Sequence, residues 1–223
     1  MSSTPPLSRG PSTAGPASPG SNAFRGWIRT TRDALLMFEA ARKGVIPRVT
    51  RRFHETEKRT LIKSGTVLIF TEEETGIKRW TDPFLWSASR MLGNFMIYRE
   101  REDSEEITES PYACSDFRSS EAQSSAAPDL DLEKDVFGSW NKGKGLKPNG
   151  LMKKTVSLNV GGVVHHLISY YKPSDVFSGY LKTPSSTRFL SDLEIDTEVL
   201  VNISKLRQPP QVRMTTSGRL VYV

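Results

Sequence analysis

Residues 151–171 read LMKKTVSLNVGGVVHHLISYY, and the reading of that stretch decides the fold. Two apolar, β-branched runs flank Gly161-Gly162. A glycine pair between such runs signals a two-residue hairpin, because the tightest hairpin turns need positive φ at their central positions. A lone hairpin is marginal in water. Residues 149–205 offer it little company. KPSDV reads as a turn into a short helix with Ser174 as cap, RFLSDLEI as a short helix or loop, and DTEVLVNI (196–203) as one more strand. The hairpin must therefore find its sheet elsewhere in the chain.

Residues 24–101 supply the candidates. TVLIF (66–70) has the apolar, β-rich composition of a buried strand. In NFMIYR (94–99), Phe95, Ile97 and Arg99 alternate with Met96 and Tyr98. EEETG carries Gly76 at a left-handed turn position and IKRWTD follows, so 66–82 reads as a hairpin or as a strand with a long loop. Ahead of these, TTRDALLMFEAARKG has the marks of a capped helix. Thr30 is the cap, Asp33 sits three residues on, and Ala34, Leu35, Phe38 and Ala41 recur at helical spacing. Gly44 and Pro47 end it. A shorter helix is expected over 55–63, stopping at Gly65. The economical architecture is a single α+β domain. Both blocks contribute strands to one mainly antiparallel sheet, with a few helices around it.

Composition marks the rest. Apolar residues make up 36% of the 223, below the roughly 45–50% of globular domains. Residues 1–23 are rich in Pro, Ser and Gly and read as a disordered arm. They lack the apolar core of a secretory signal, and no stretch has the roughly 18 apolar residues of a membrane span. Residues 102–148 form an acidic variable linker, 149–205 the second block, and 206–223 a loose tail. The +6 net charge hides a partition. Residues 25–101 hold 16 Lys/Arg against 9 Asp/Glu, 102–141 hold 2 against 11, and 142–223 hold 12 against 5. Two basic blocks flanking an acidic one point to a polyanionic partner. Cys114 is the only cysteine and His54, His165 and His166 are the only histidines, so no zinc finger is possible and no metal is expected. An intracellular, reducing compartment suits one thiol.

Nothing here reads as an enzyme. There is no nucleophile elbow, phosphate-binding loop, HExxH or dinucleotide fingerprint. His165 and His166 are neighbours on a strand and point to opposite faces, so they cannot chelate one ion together. Cys114 lies in an acidic stretch, which raises a thiol pKa and makes it a poor nucleophile. The sharper signal is GIKRWTDPFLWSASR (76–90). Lys78, Arg79 and Arg90 are interleaved with Trp80, Trp86, Thr81 and Ser87. Arginine enters narrow minor grooves, where the potential is most negative, and hydroxyls hold phosphates. One of the two tryptophans is expected in the core. PRVTRRF adds Arg48, Arg51 and Arg52 as a phosphate clamp, and Lys153 and Lys154 can send at most one amine to a common surface. Lys78-Arg79-Trp80-Thr81 also fits a basophilic kinase site, with Thr81 as the acceptor.

The strings GWIRTTRDALLMFEAARKGVIPRVTRR, TGIKRWTD and WSASRMLGNFMIYRE, followed by GLMKKTVSLNVGGVVHHLISYYKPSDV, resemble the two boxes of the WOPR-box family of fungal white–opaque-type morphogenesis regulators. The match covers roughly 24–101 and 149–200. The resemblance implies a nuclear, sequence-specific DNA-binding transcription regulator whose boxes intertwine in one unit. It implies A/T-rich double-stranded DNA as partner, read in the minor groove by the loop at Lys78–Asp82, with transcription co-regulators and no cofactor. One departure matters. Family loops commonly read RWTDG and then WSPSR, whereas here Pro83 follows Asp82 and Ala88 replaces the proline. Many members carry a long polar C-terminal extension, and this chain stops at Val223. That leaves a second expectation: a non-specific basic module, or a short paralogue acting through a full-length partner.

Overall fold

The computed structural model describes residues 24–103, 129–138, 145–214, 216 and 220–222. The expected N-terminal arm, most of the acidic linker and Cys114 lie outside them. The helix α1 spans Thr31–Arg42. Its capping box is formed: the Thr30 hydroxyl accepts from the Asp33 amide, and the Asp33 carboxylate accepts from the Thr30 amide at 2.8 Å. Every residue from Asp33 to Ala41 is buried, so α1 is enclosed on all sides. The second Asp33 oxygen accepts from the Ser185 amide at 2.9 Å, which docks the turn Pro184–Ser186 on the helix start. Then follow α2 (Glu55–Leu61), β1 (Val67–Thr71), α3 (Glu72–Thr75), β2 (Arg90–Leu92), β3 (Phe95–Arg99) and α4 (Leu130–Phe137). The second block begins with β4 (Met152–Val160) and β5 (Val163–Tyr171). It continues through α5 (Pro173–Phe177), α6 (Arg188–Ser191), α7 (Thr197–Asn202), β6 (Val212–Met214) and β7 (Leu220–Tyr222).

The expected α+β architecture is present, and the hairpin sits at its centre. Gly161 and Gly162 have φ of 60° and 87°, and the Asn159 side chain accepts from the Gly162 amide. A β-carbon on Gly161 would fall 2.5 Å from a Glu198 oxygen, and at Gly162 the positive φ rather than crowding favours glycine. The antiparallel sheet runs β1-β5-β4-β3-β2. β5 pairs with β1 from Val67↔Ser169 to Thr71↔His165, and β4 pairs with β3 from Met96↔Thr155 to Arg99↔Met152. Both strands of the second block thus stand between the strands of the first. One sheet face packs Val67, Ile69, Phe95, Val156, Leu158 and Leu167 on α1 and α7. The other packs Phe70, Ile168 and Tyr170 under Val49, Phe53, Ile77 and the segment Trp80–Trp86.

At one end of the sheet a charged group is buried among the apolar ones. Lys154 is fully buried, with its amine near the rings of Trp27, Phe95 and Tyr171. It donates to the carbonyl of Ile28 at 2.9 Å and reaches those of Asp135 and Arg29 at 3.3 and 3.4 Å. One amine therefore ties the chain before α1, helix α4 and the central strand β4. Burial pushes its pKa down to about 8, against the pull of Asp135 and Asp33.

Several expectations are corrected. Residues 196–203 are helical: Asp196 accepts from the Glu198 amide as an N-cap, and Val199, Leu200 and Ile203 share one buried face at helical spacing. The acidic linker is not all linker. Val136 of α4 is fully buried, its carbonyl accepts from the Tyr171 hydroxyl at 2.9 Å, and Asp135 pairs with Arg29 at 2.7 Å. Of the two readings of 66–82 the hairpin is overturned and the strand with a long loop holds, one helical turn following the strand, because β1 takes its partner from β5. In KPSDV, Lys172 holds the cap position without a side-chain bond and Pro173 opens the helix, where its missing N–H costs nothing. The tail contains the paired strands β6 and β7, and Tyr222 packs against the α1 cluster.

Two outcomes follow from this packing. Residues 24–103 and 129–223, expressed apart, should each lack a cooperative melting transition, and mixing them should restore one in calorimetry. Shortening within 104–128 should cost little, since each doubling of a loop is worth only about 0.6 kcal/mol. The second outcome concerns pH. Between about pH 8 and the ordinary lysine range, the folded chain binds fewer protons at Lys154 than the unfolded chain, so its stability rises with pH there. Tyr170 and Tyr171, both raised by burial, oppose this only above about pH 10. Urea unfolding between about pH 8 and 10 should show the rise in the wild type and a flatter profile in Lys154→Met. The contribution of Lys153, also lowered by burial, should remain.

Candidate nucleic-acid interface

Between α3 and β2 the chain runs for 14 residues, Gly76 to Ser89, without helix or strand. Its far end is held by backbone bonds, Ser87 donating to Arg99 and Leu85 accepting from Arg101, and the part before it is shaped by side chains. The Asp82 side chain is 1% exposed, and one of its oxygens accepts from the Tyr170 hydroxyl at 2.8 Å and from the Lys153 amine at 3.0 Å. The other accepts from the Trp86 indole at 2.5 Å and lies 3.4 Å from the Phe84 amide, which carries the turn across Pro83. The Tyr170 hydroxyl in turn accepts from the Trp80 indole at 2.8 Å. The Lys153 amine lies over the rings of Trp86 and Tyr98 at 4.3 and 4.8 Å. Burial lowers the Lys153 pKa against the opposing pull of Asp82. Burial, and then the Asp82 charge, hold the Tyr170 hydroxyl well above its usual range, so it stays a donor at neutral pH.

This arrangement sorts the expected contact residues. Lys78 and Arg79 are exposed, and among the described residues neither has a hydrogen bond or ion pair. Thr81 is exposed and accepts from the Lys58 amine at 3.2 Å. Trp80, expected among the DNA contacts, is half-buried. Its ring packs beside Phe53 and Phe70, and its only donor is used on Tyr170. Trp86 is committed in the same way, so both tryptophans support the loop. Ser87 sits at the far end, where its hydroxyl accepts from the Arg99 amide and donates to the Ala88 carbonyl. Arg90 is exposed at the start of β2, opposite Ile97. The expected clamp is largely neutralised. Arg48 pairs with Glu74 at 3.4 Å, and Arg51 holds Glu57 by two bonds of 3.0 and 2.6 Å. Hydrogen bonds from Arg51 and the His54 amide lower the Glu57 pKa to about 2. Arg52 reaches the Gly76 carbonyl at 3.4 Å and so joins its segment to the loop.

Lys153 and Lys154 both point inward and neither joins a common surface. His165 and His166 do take opposite faces: His165 is buried edge-on to Phe38, and His166 stacks on Phe70 between Ser157 and Glu72. Reading by residue type missed the carboxylate at the centre. The one signal for it was an acidic residue inside a basic, aromatic stretch. It also missed Lys58, whose place beside Thr81 is set by the docking of α2.

Residues 23–172 match the Gti1/Pac2 family. The chain belongs to that family. Among Gti1/Pac2 relatives, the global transcription regulator FGP1 of Gibberella zeae is 37% identical over 202 residues, covering 79% of this chain and 59% of its own. The cAMP-independent regulatory protein pac2 of Schizosaccharomyces pombe is 38% identical over 189 residues, covering 77% and 79%. The chain spans 59% of the length of FGP1 and 64% of that of the Gibberella fujikuroi regulator sge1. Two solved structures are similar. The complex of the WOPR domain of Wor1 from Candida albicans with 13-bp double-stranded DNA superposes with a TM-score of 0.59 at 28% identity, covering 83% of this chain and 97% of that one. A second, described as a fungal protein, gives 0.62 at 29%, covering 87% and 100%. The Gti1/Pac2 match ends at Lys172, yet Leu190, Val199, Leu200 and Ile203 beyond it complete the core around α1.

The buried carboxylate makes the interface testable without a ligand. Asp82→Asn leaves the Lys153 amine, 11% exposed, without its counter-charge. It should cost about 3–5 kcal/mol in urea unfolding. Adding Lys153→Met should recover part of that loss. Strictly additive costs would show that the two groups are not coupled.

Proposed function

We propose that this chain is a DNA-binding transcription regulator that acts in the nucleus and reads A/T-rich duplexes through the loop around Arg79. The observation that carries the reading is the pairing of two unpartnered, exposed cations with a buried support. Lys78 and Arg79 stand on a loop whose next residues, Trp80 and Asp82, are anchored in the sheet. A guanidinium held out on a rigid loop suits a narrow minor groove, since it is weakly hydrated and the potential there is strongly negative. The similarity to a WOPR domain solved with double-stranded DNA supports the same partner. A role in fungal morphogenesis, with co-regulators supplied in trans, is the reading that fits the relatives named as global transcription regulators. No enzymatic activity and no cofactor are proposed. Among the described residues no helix is long and apolar enough to cross a membrane.

The contacts divide into reader and clamp. Arg79 is the reader. Arg52 and the loop cation Lys78 serve the phosphates, and Arg51 contributes less because Glu57 already holds it. Thr81 is proposed as a kinase acceptor. Its phosphate would add roughly −1.5 to −2 charges to the face that meets DNA. In fluorescence anisotropy, Arg79→Ala should cost about 1–3 kcal/mol on an A/T-rich duplex and much less on a random one. Arg52→Ala should weaken both alike and lower the salt slope by about one. Thr81→Glu should weaken both. Equal losses on the two duplexes for folded Arg79→Ala would favour a non-specific basic module.

A further inference from the structure

The 14-residue loop that carries Lys78 and Arg79 has backbone support at its far end, where Leu85 and Ser87 bond to Arg101 and Arg99, but none at its tip. Among the described residues, Lys78 to Asp82 make no backbone–backbone hydrogen bond. Segments of this length without regular structure are uncommon in compact domains, and their conformation needs another source of order. Here the source is two side-chain tethers, at Trp80 and Asp82, which bracket the tip. They meet at one atom, the hydroxyl oxygen of Tyr170. The chemistry of that meeting point is restrictive. An indole nitrogen only donates and an ionised carboxylate only accepts, so the atom between them must accept from one and donate to the other. A tyrosine hydroxyl does both. Tyr170 is fully buried on β5, paired on one side with the chain at Thr66 and on the other with Lys153 of β4. Its backbone is therefore flanked on both sides.

We propose that Tyr170 is the positioning residue of the reading loop: its hydroxyl, supplied by the second block, sets where Lys78 and Arg79 stand by bridging Trp80 to Asp82. The proposal rests on the DNA-binding reading above. It gives the second block a part in recognition that needs no exposed contact of its own. Removing the hydroxyl leaves the ring in place, so the core loses little volume. The Trp80 donor loses its acceptor, and Asp82 keeps Lys153 and Trp86. The loop then samples other placements, and binding must first select the competent one, which weakens affinity without removing a contact.

The test uses the full chain and two duplexes of equal length, one A/T-rich and one random. Tyr170→Phe should lower the backbone NMR order parameters over 78–82 while leaving those of α1 unchanged. Affinity for the A/T-rich duplex should fall about tenfold, the equivalent of the net worth of one hydrogen bond. The salt slope should not change, because the phosphate contacts are intact. Trp80→Phe, which removes the donor to the Tyr170 hydroxyl and keeps an aromatic ring, should act in the same direction and keeps the test decisive if Tyr170→Phe does not fold. Unchanged order parameters over 78–82, or lower ones with unchanged affinity, overturn the positioning role and leave the DNA reading standing. An equal loss on both duplexes with a fallen melting midpoint shows a merely structural tyrosine and also overturns it. A wild-type chain that binds neither duplex overturns the DNA reading itself.

Discussion

Everything in this fold depends on a hairpin being inserted between strands that precede it by 50 to 100 residues. β1 and β3 belong to one stretch of chain, yet they never pair with one another. Each finds its partner only when β4 and β5 arrive. Sheet pairing over such separations closes long loops before any contact rewards the closure, so the topology is intrinsically slow to form. The counterweight is the local strength of the hairpin. Two nine-residue strands pair along their full length around a glycine turn. The contacts within the hairpin are local, and it offers an edge on each side for the distant strands to add to.

The two faces of this sheet are stabilised by different physics. The α1 face is largely apolar, and Lys154, buried there along with Asp33 and Glu39 of α1, is admitted because carbonyls from two other segments converge on it. An amine there costs stability and repays it in specificity of docking, since an aliphatic side chain would leave those carbonyls without a donor. The loop face is polar at its centre. Asp82, Tyr170, Lys153 and two indoles form a network in which the carboxylate accepts four bonds. Such a network rigidifies only when complete, because an unpaired group in a low-dielectric interior is costly. Together with the backbone bonds of Leu85 and Ser87 to Arg101 and Arg99, that is how 14 residues without helix or strand keep one shape.

The placement of charge follows from the same network. Cations that are buried or paired cannot meet a polyanion without giving up a partner, and most of the arginines near the loop are in that position. Lys78 and Arg79 are spared because the residues after them turn inward and take the available acceptors. The acidic and basic groups are thus sorted by tertiary contact: Glu57 and Glu74 quench the flank, and Asp82 is spent inside.

The sequence by itself determined the elements whose signals are local. The glycine pair at 161–162 marked the hairpin, Thr30 and Asp33 marked the start of α1, and the lack of sheet partners in 149–205 forced a shared sheet. The basic, aromatic segment from Gly76 onward was legible as the candidate site for the same reason, since residue type and spacing are local facts. What the tertiary structure decided was everything set by distant neighbours. DTEVLVNI has β-branched residues that suit a strand, but an Asp196 cap and an apolar face pressed on the α1 core make it a helix. LDLEKDVF reads as acidic linker until Tyr171, Arg29 and Lys154 take hold of its backbone and its Asp135. Trp80 reads as a ligand contact until Tyr170, 90 residues away, takes its N–H. Propensity and composition weigh a residue against its neighbours in the chain. Burial and hydrogen-bond satisfaction weigh it against its neighbours in space, and in this fold the residues that shape the site come from both blocks.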